Sequence, residues 1–265
     1  MKKLKIEDFV DKIIQGDSIK IMKKIPEESI NMIITSPPYN VGIQYTDWND
    51  NLPEKEYWDW TDKWMYMANK CLKKDGRIAV NIPVIGNNPE MKKSNKYLFH
   101  LPQYLSIIKK YFMLRECITW IKSYAEYDEN VFCGGNTAWG SYLSASEPYC
   151  RSFSEFIIVA HKENSKLQHN GISDITKDEF LKYTKNVWFF PSEVDRTHPA
   201  PFPKQLPYRL IKLYTYVDDL VMDPFAGRGT TLLVCKEHKR KYIGIEISKE
   251  YYNMAKNELN QELLF

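Results

Sequence analysis

The sequence lacks any apolar run that approaches the roughly 20 residues needed to span a bilayer, and its five cysteines include no Cys-x-x-Cys pair. An odd number of scattered cysteines favours neither a disulfide framework nor a zinc site. Internal repeats and low-complexity stretches are also absent. These absences exclude a membrane-spanning protein, a disulfide-stapled domain and a repeat array, so we expect a soluble protein in the reducing cytoplasm.

Charge of one sign is scarce too, because 37 Lys and Arg residues nearly balance 34 Asp and Glu residues and leave a net charge of +3. So small an excess permits a polyanionic partner without requiring one, since a locally basic cleft matters more than the sum. With 265 residues and 43% hydrophobic content, the chain can bury a large core. We expect one domain over residues 1–265, with a small insertion at about 162–187.

Apolar runs alternate with helical patterns along the chain, which is typical of an α/β fold: a mostly parallel, doubly wound sheet with helices on both faces. The aromatic stripe of the second predicted helix is expected to pack in the core. Predicted helices are 18–25, 54–72, 97–112 and 230–237, and predicted strands are 30–34, 77–82, 114–121, 156–160, 187–190, 219–222 and 242–245. Loops are expected at 86–96 and 124–139.

One motif, Asp-Pro-Phe-Ala-Gly-Arg-Gly-Thr-Thr from Asp223 to Thr231, follows a predicted strand. Gly227 and Gly229 leave room where the backbone must turn tightly or approach a ligand, and the first amides of the following helix are free. Glu246 ends the next strand, about 20 residues later, where an acidic side chain can accept hydrogen bonds from ribose hydroxyls. The motif indicates a cofactor site, and an ordinary turn followed by an exposed glutamate is the alternative.

A second motif, Thr35-Ser36-Pro37-Pro38-Tyr39, follows another predicted strand. Its prolines stiffen the backbone and remove two amide donors, which leaves the Pro37 carbonyl as a fixed acceptor. Ser36 adds a hydroxyl and Tyr39 an aromatic face, so the loop can hold an amino group while a flat ring stacks on it. A plain turn with a half-buried tyrosine is the alternative. Because both motifs follow strands, we expect them to meet at the carboxyl edge of the sheet, where open α/β folds bind ligands.

In this order the two motifs resemble those of the amino-methyltransferases of DNA restriction-modification systems, and the order is similar to that of the β group, a circular rearrangement of the methyltransferase domain. The resemblance extends to residues 15–18, 138–148, 155–159 and 198–207, where the last three segments are most similar to the cytosine-N4 members. It implies a Rossmann-like fold with permuted motif order, S-adenosyl-L-methionine as cofactor and double-stranded DNA as substrate.

The resemblance assigns Asp17 to the adenosine end of the cofactor and Glu246 to its ribose, while His198 either lines the cleft or fixes its own loop. Arg228 departs from the family pattern, which often has a small residue there. No metal is implied. The implied cofactor-binding residues are Asp17, Thr35, His198, Pro201, Phe202, Asp223, Phe225, Ala226, Gly227, Gly229, Thr230, Thr231 and Glu246.

The implied reaction is direct transfer of a methyl group from a sulfonium to the exocyclic nitrogen of a base that has swung out of the duplex. The implied catalytic residues are Ser36, Pro37, Pro38 and Tyr39. The serine hydroxyl and the Pro37 carbonyl would orient the amine, and the tyrosine would stack on the base. The proton leaves through Ser36 or water. No Pro-Cys dipeptide is present, so a cysteine nucleophile for carbon-5 methylation is not indicated.

Serine at position 36, where adenine enzymes usually carry aspartate, favours cytosine N4 as the acceptor, with adenine N6 as the alternative. A protein or RNA methyltransferase and a catalytically silent DNA-binding module are alternatives from other classes. The segment 162–187 is either a target-recognition insertion or a charged surface excursion, and the loop 42–51 is expected to close over the site. The existence of a cognate restriction endonuclease, and the choice between monomer and homodimer, stay open.

Overall fold

A computed structural model describes residues 4–45, 47–86, 98–123, 141, 143–148, 153–193 and 203–261. The strands are β1 Lys12–Gln15, β2 Ile30–Thr35, β3 Leu72–Ile82, β4 Ile85–Gly86, β5 Leu98–Phe99, β6 Met113–Ile121, β7 Ser154–His161, β8 Val187–Phe189, β9 Leu220–Asp223 and β10 Lys241–Glu246. The α-helices are α1 Ser18–Met22, α2 Glu54–Cys71, α3 His100–Tyr111, α4 Lys177–Tyr183, α5 Gln205–Tyr214, α6 Thr230–Glu237 and α7 Lys249–Asn260. A 3₁₀ helix, Ile6–Asp8, precedes β1.

Eight of these strands form one sheet in the order β1-β10-β9-β2-β3-β7-β6-β8, and β4 pairs with β5 separately. Within the large sheet β7 runs antiparallel to both of its neighbours, β3 and β6, while the other neighbours pair in parallel. The structure therefore confirms the predicted α/β class with a mostly parallel sheet.

Strand β2 shows why the sheet is covered on both faces, since all six of its residues are buried. Ile33 points into a core with Met22 of α1 and Trp64 of α2. Met32 points into the other core, with Leu210 of α5. Strands buried on both sides read as continuous apolar runs rather than alternating ones, and this is what made the central strands predictable.

The central position of β9, between β2 and β10, determines where the two motifs lie. These three strands run in parallel, so the chain leaves each of them at the same edge of the sheet. Strand β1 adds a fourth parallel strand beside β10. We call this the carboxyl edge, and the opposite one the amino edge.

Several bounds differ from the predicted ones. The sequence predicted a helix through residue 72 and a strand from residue 77, but β3 already begins at Leu72. A register shift in its pairing with β2, from Ile30 opposite Leu72 to Met32 opposite Arg77, accommodates the turn inside the strand. The elements β1, α4, α5 and α7 were not predicted. The predicted loops 86–96 and 124–139 lie outside the described residues, apart from Gly86 in β4.

The described part of the chain contains no helix that is long and apolar enough to cross a membrane. It also contains no group of three or more His, Cys, Asp or Glu residues that could hold a metal ion. The described cysteines Cys71, Cys117 and Cys235 are free thiols.

Candidate active site

A cavity of about 230 Å³ opens at the carboxyl edge, and both sequence motifs line it. Of the predicted site residues, those that line this cavity are Asp17, Ser36, Pro37, Pro38, Tyr39, Asp223, Phe225, Ala226, Gly227, Thr230, Thr231 and Glu246. Thr35 and Gly229 lie outside its lining: Thr35 is buried at the end of β2, and Gly229 is the N-cap of α6. His198, Pro201 and Phe202 lie outside the described residues. The structure thus brings together two loops that are far apart in sequence.

A buried carboxylate joins the two loops directly. Asp223, at the end of β9, accepts hydrogen bonds from Thr35 Oγ1 at 2.8 Å and Thr231 Oγ1 at 2.7 Å, and from the Phe225 amide at 3.1 Å. Burial raises the pKa of Asp223 to about 6, although these three bonds act in the opposite direction. Thr35 and Thr231 therefore act through Asp223, which holds the ends of β2 and β9 and the start of α6 in one arrangement.

The two glycines of the cofactor motif adopt left-handed backbone conformations, with φ of 54° at Gly227 and 82° at Gly229. Gly229 also caps the N-terminus of α6, and a Cβ there would lie 3.0 Å from the Cβ of Ala255 in α7. An L side chain is strained in this conformation, whatever space it has. Gly229 is therefore required by the turn and by helix packing, while Gly227 also faces the cavity.

Glu246 is buried at the end of β10, next to the glycine turn. Its carboxylate accepts the Gly227 amide at 2.7 Å and the Ser248 amide at 2.8 Å. Burial raises its pKa despite these bonds. The Ile247 amide also interacts with this carboxylate, and because a carboxylate has about four acceptor sites, these amides do not fill all of them. Asp17 lines the cavity too and caps α1 by accepting the Lys20 amide at 2.8 Å.

Two carbonyls of the proline loop, which we define as residues 35–39, form hydrogen bonds with a tyrosine and a histidine side chain. The sequence analysis assigned neither side chain a role at the site. Tyr57 of α2 donates its hydroxyl proton to the Pro38 carbonyl at 3.0 Å. His100 Nε2 lies 2.6 Å from the Tyr39 carbonyl. Both side chains are fully buried, so they fix the path of the loop from behind.

The hydroxyl of Tyr39 is the centre of a polar cluster next to the cavity. It lies 2.7 Å from Ser36 Oγ, 2.9 Å from Asn81 Nδ2 and 3.2 Å from Glu155 Oε2. Lys122 completes the cluster with an ion pair of 2.6 Å to Glu155 Oε1. Sequence reasoning included Glu155 in a family segment but assigned it no role, and it missed Asn81 and Lys122.

The loop that follows Tyr39 covers the cavity. Asp50 holds it in place, because its carboxylate accepts the amides of Asn40, Val41 and Ile43 at 2.7 to 3.0 Å. Burial raises the pKa of Asp50. Trp48 lines the cavity and packs on Trp60 of α2 with ring centroids 4.7 Å apart, so the loop already contacts the wall.

Within the aromatic stripe of α2, Tyr57 and Trp64 are fully buried as expected, whereas Trp60 is partly buried and lines the cavity. Phe225 packs on Trp60 and on Trp64, with ring centroids 5.3 Å apart in each pair. Arg228, the departure from the family pattern, forms an ion pair of 2.7 Å with Glu258 of α7. Its positive charge at the cavity wall is thereby neutralised.

The charges around the cavity are unequal. Among the described residues that line it, six are acidic and two are basic: Asp17, Asp47, Glu193, Asp223, Glu246 and Glu258 against Lys204 and Arg228. A concave site with this excess raises the local concentration of cationic ligands. The cavity therefore favours a ligand that carries a positive charge.

The segment 162–187 does not reach this cavity in its described contacts. His169 Nε2 lies 2.8 Å from Asp219, which immediately precedes β9. The Glu163 amide donates to the Lys74 carbonyl near the start of β3 at 2.8 Å. Both contacts lie at the amino edge, opposite the cavity, and the segment contains the unpredicted helix α4.

Comparisons with known proteins identify the family. Residues 30–257 match the DNA methylase model of the N6 and N4 methyltransferases. The Type II methyltransferase M.MjaVI of Methanocaldococcus jannaschii is 42% identical over 173 residues, which cover 64% of this chain and 80% of that protein. The DNA adenine methyltransferase YhdJ of Escherichia coli is 29% identical over 267 aligned positions, which cover 94% of this chain and 82% of the relative.

Solved structures share the fold over almost the full chain. TTHA0409 from Thermus thermophilus, in complex with S-adenosyl-L-methionine, superposes with a TM-score of 0.71 at 24% identity and covers 94% of this chain and 92% of its own. The cytosine-N4-specific PvuII DNA methyltransferase superposes with a TM-score of 0.70 at 24% identity and covers 96% of this chain and 87% of its own. Since the family model spans most of the sequence, the chain belongs to the DNA methylase family and is an S-adenosyl-L-methionine-dependent DNA methyltransferase.

Proposed function

We propose that this methyltransferase modifies the exocyclic N4 amine of cytosine in double-stranded DNA, after the base has left the helix. The observation that carries the proposal is the position of Ser36, which lines the same cavity as the cofactor motif. A neutral hydroxyl at this place, instead of an aspartate, favours cytosine. The resemblance of residues 155–159 to cytosine-N4 enzymes supports the same choice.

The cofactor side of the cavity fits S-adenosyl-L-methionine. Its excess of acidic side chains suits a cation, and the Gly227 backbone allows close approach of a ligand. Glu246 would accept hydrogen bonds from the ribose hydroxyls, and Asp17 would contact the adenosine end. When bound, the cofactor supplies a methyl group on a positively charged sulfur. The protein's own contribution is to hold and orient that group.

The target side would act by orientation and electrostatics. Ser36 Oγ and the Pro37 carbonyl would accept the hydrogens of the amine, which directs the nitrogen lone pair away from the loop and toward the methyl group. Tyr39 is half-buried and lines the cavity, and its ring would stack on the extruded base. No covalent intermediate with the protein is needed.

Adenine N6 is the second candidate. The observation that favours it is the 29% sequence identity to the adenine methyltransferase YhdJ. The test is to incubate unmethylated duplex DNA with the purified protein and the cofactor, digest the DNA to nucleosides and separate them by mass. N4-methylcytosine is the expected product. N6-methyladenine as the sole product rejects cytosine, and labelling of protein or RNA without labelling of DNA rejects the DNA substrate.

Two variants test whether the proline loop acts on the target base and the glycine motif binds the cofactor. Tyr39→Ala should slow methyl transfer while cofactor affinity stays nearly unchanged. Gly227→Val should abolish cofactor binding, because a branched side chain at a left-handed position would project into the cavity wall. Isothermal titration with the cofactor separates the two effects, and an equal loss of affinity in both variants would contradict the assignment.

The segment 162–187 was one candidate for target recognition. Its described contacts at the amino edge favour the other alternative, a charged surface excursion that braces the sheet. Replacing Lys166, Lys177 and Lys182 with alanine should therefore leave DNA affinity unchanged at low salt. If one of these lysines does contact a phosphate, its removal should reduce the slope of the logarithm of DNA affinity against the logarithm of salt concentration by about one. Such a reduction would support the recognition role.

A further inference from the structure

The carboxylate of Glu155 reaches the proline loop because β7 is antiparallel to the strands on either side of it. Since β7 is antiparallel to β3, its first residues lie at the carboxyl edge, beside the end of β3. Phe156 is opposite Ile82 and Ile157 is opposite Asn81, so Glu155 and Asn81 lie on the same face as diagonal neighbours. The Asn81 Nδ2 to Glu155 Oε2 distance of 2.5 Å follows from this register.

Each oxygen of this carboxylate has its own partner. Lys122 occupies Oε1 at 2.6 Å, while Oε2 faces Asn81 Nδ2 and the Tyr39 hydroxyl. The side chain of Glu155 is only 13% exposed, and that of Lys122 is 23% exposed. Paired with the Lys122 ammonium, the Glu155 carboxylate accepts hydrogen bonds and does not donate them.

Glu155 Oε2 and the Asn81 carbonyl can only accept hydrogen bonds, so they determine which hydroxyl group donates in the cluster. The Tyr39 proton faces Glu155 Oε2 and the Asn81 carbonyl, each 3.2 Å away, so the Tyr39 oxygen is left to accept from Asn81 Nδ2 and from the Ser36 hydroxyl. Burial, followed by the negative charge of Glu155, raises the pKa of Tyr39 well above its ordinary value, so the proton stays on the tyrosine. With its own proton donated to the Tyr39 oxygen, Ser36 Oγ keeps its lone pairs for use as an acceptor, and Ser36 lines the cavity.

We propose that Glu155 is a positioning residue for methyl transfer: through Tyr39 it orients the Ser36 hydroxyl as a hydrogen-bond acceptor for the target amine. The inference rests on the proposed function, in which Ser36 receives an amine hydrogen. It assigns the hydroxyl of Tyr39 a role separate from that of its ring. It also explains why a charged pair lies so close to a cavity that neither partner lines.

Replacement by an amide would remove this constraint. Lys122 would hold the amide oxygen of a glutamine at position 155, and the amide nitrogen would then donate to the Tyr39 oxygen. A hydroxyl oxygen accepts two hydrogen bonds, and together with Asn81 Nδ2 this donor fills both places, so the serine proton turns toward the amine. A proton that faces an amine hydrogen opposes binding in the reactive orientation. Glu155→Gln should therefore lower the single-turnover rate of methyl transfer by about 10- to 100-fold, the effect of losing one oriented hydrogen bond to the reacting group.

The experiment measures single-turnover transfer from labelled cofactor to duplex DNA, with the affinities for cofactor and DNA determined separately. In Glu155→Gln both affinities should stay within about twofold of wild type, because Glu155 does not line the cavity and twofold is only about 0.4 kcal/mol. Glu116→Gln is the matched control. Glu116 accepts the Tyr214 hydroxyl at 2.8 Å and lies on β6, outside the cavity lining, so its removal should leave the rate unchanged.

Tyr39→Phe keeps the ring, removes the hydroxyl and leaves the Lys122–Glu155 pair intact. It should lower the rate to a similar extent, and Glu155→Gln should have no further effect in that background, because the two residues act in one chain. Additive losses, or an unchanged rate in Glu155→Gln, would overturn the proposal. If Glu155→Gln fails to fold, wild-type activity in Tyr39→Phe overturns it equally.

Ser36→Ala separates this inference from the proposed function. If Ser36→Ala slows transfer but Glu155→Gln does not, the serine is the acceptor and Glu155 does not orient it. If Ser36→Ala transfers methyl at the wild-type rate, the assignment of Ser36 in the proposed function fails, and the inference fails with it. Loss in both variants, with the nonadditivity described, supports both.

Discussion

The buried carboxylate of Asp223 should produce a measurable dependence of stability on pH. Burial raises its pKa from 3.8 to about 6. A group with a raised acidic pKa binds more protons in the folded state than in the unfolded state between these values. The free energy of unfolding should therefore rise as the pH falls through 6 toward 4, by up to about 3 kcal/mol at 1.4 kcal/mol per pKa unit.

The perturbation is Asp223→Asn, which keeps the shape and removes the charge. Urea unfolding at pH 7.5, 6 and 5 gives the free energy of unfolding for wild type and variant, and the difference between them isolates this residue from other titrating groups. From pH 7.5 to 5, wild type should gain roughly 1 to 2 kcal/mol relative to the variant, about half of the total. A difference that is constant over this range would refute the reasoning.

A surface carboxylate provides the matched control. Asp59 pairs with Lys55 at 2.6 Å on the exposed side of α2, and the hydrogen bond from that lysine lowers its pKa. Asp59→Asn should therefore give no difference between pH 7.5 and 5, because this carboxyl titrates below that range; wild type should lose stability relative to the variant only as the pH falls below about 5. A slope of the same sign as that of Asp223→Asn would show that the difference measurement does not isolate the buried group.

Three further predictions concern the cavity and the residues that support it. Thr35→Val removes a hydrogen bond to a buried carboxylate, which is worth about 1.5–3 kcal/mol, so the melting temperature should fall by roughly 3 to 10 °C; an unchanged melting temperature would contradict this. Gly229→Ala should cost about 1–3 kcal/mol through backbone strain and the contact with Ala255, and Ala255→Gly in that background should restore only the packing part, as chemical unfolding can show. Trp48→Ala should weaken cofactor binding about 2- to 10-fold by loss of the contact with Trp60 while global stability changes little, and titration of the cofactor measures it.

The central strands and the meeting of the two motifs could be predicted because local sequence determines them. The run Ile30–Thr35 is mostly apolar and is buried on both faces. A motif that directly follows such a strand lies at the carboxyl edge of the sheet, so its location could be predicted. The helix α4 also had a local signal, since Thr176 and Glu179 form a capping box. Helix α5 was hidden by Pro207, which the first turn of a helix tolerates.

The polar cluster could not be predicted in the same way. Tyr39, Asn81 and Glu155 come from three strands or strand ends, and their contacts join residues 42 and 116 positions apart. No periodicity encodes such pairs, because they depend on the register between β3 and β7. Thr35 and Gly229 belong to the predicted motifs but lie outside the cavity lining, because a motif identifies residues that shape a site without separating those that line it from those that support it.

The link between Thr35 and Asp223 has a consequence for synthesis on the ribosome. The two residues are 188 positions apart, and the strand that carries Glu246 follows later still. While the chain is being made, the proline loop emerges long before the strands that complete its pocket. A product terminated before β10 would lack one wall of the cavity, so methylation activity should require translation through β10.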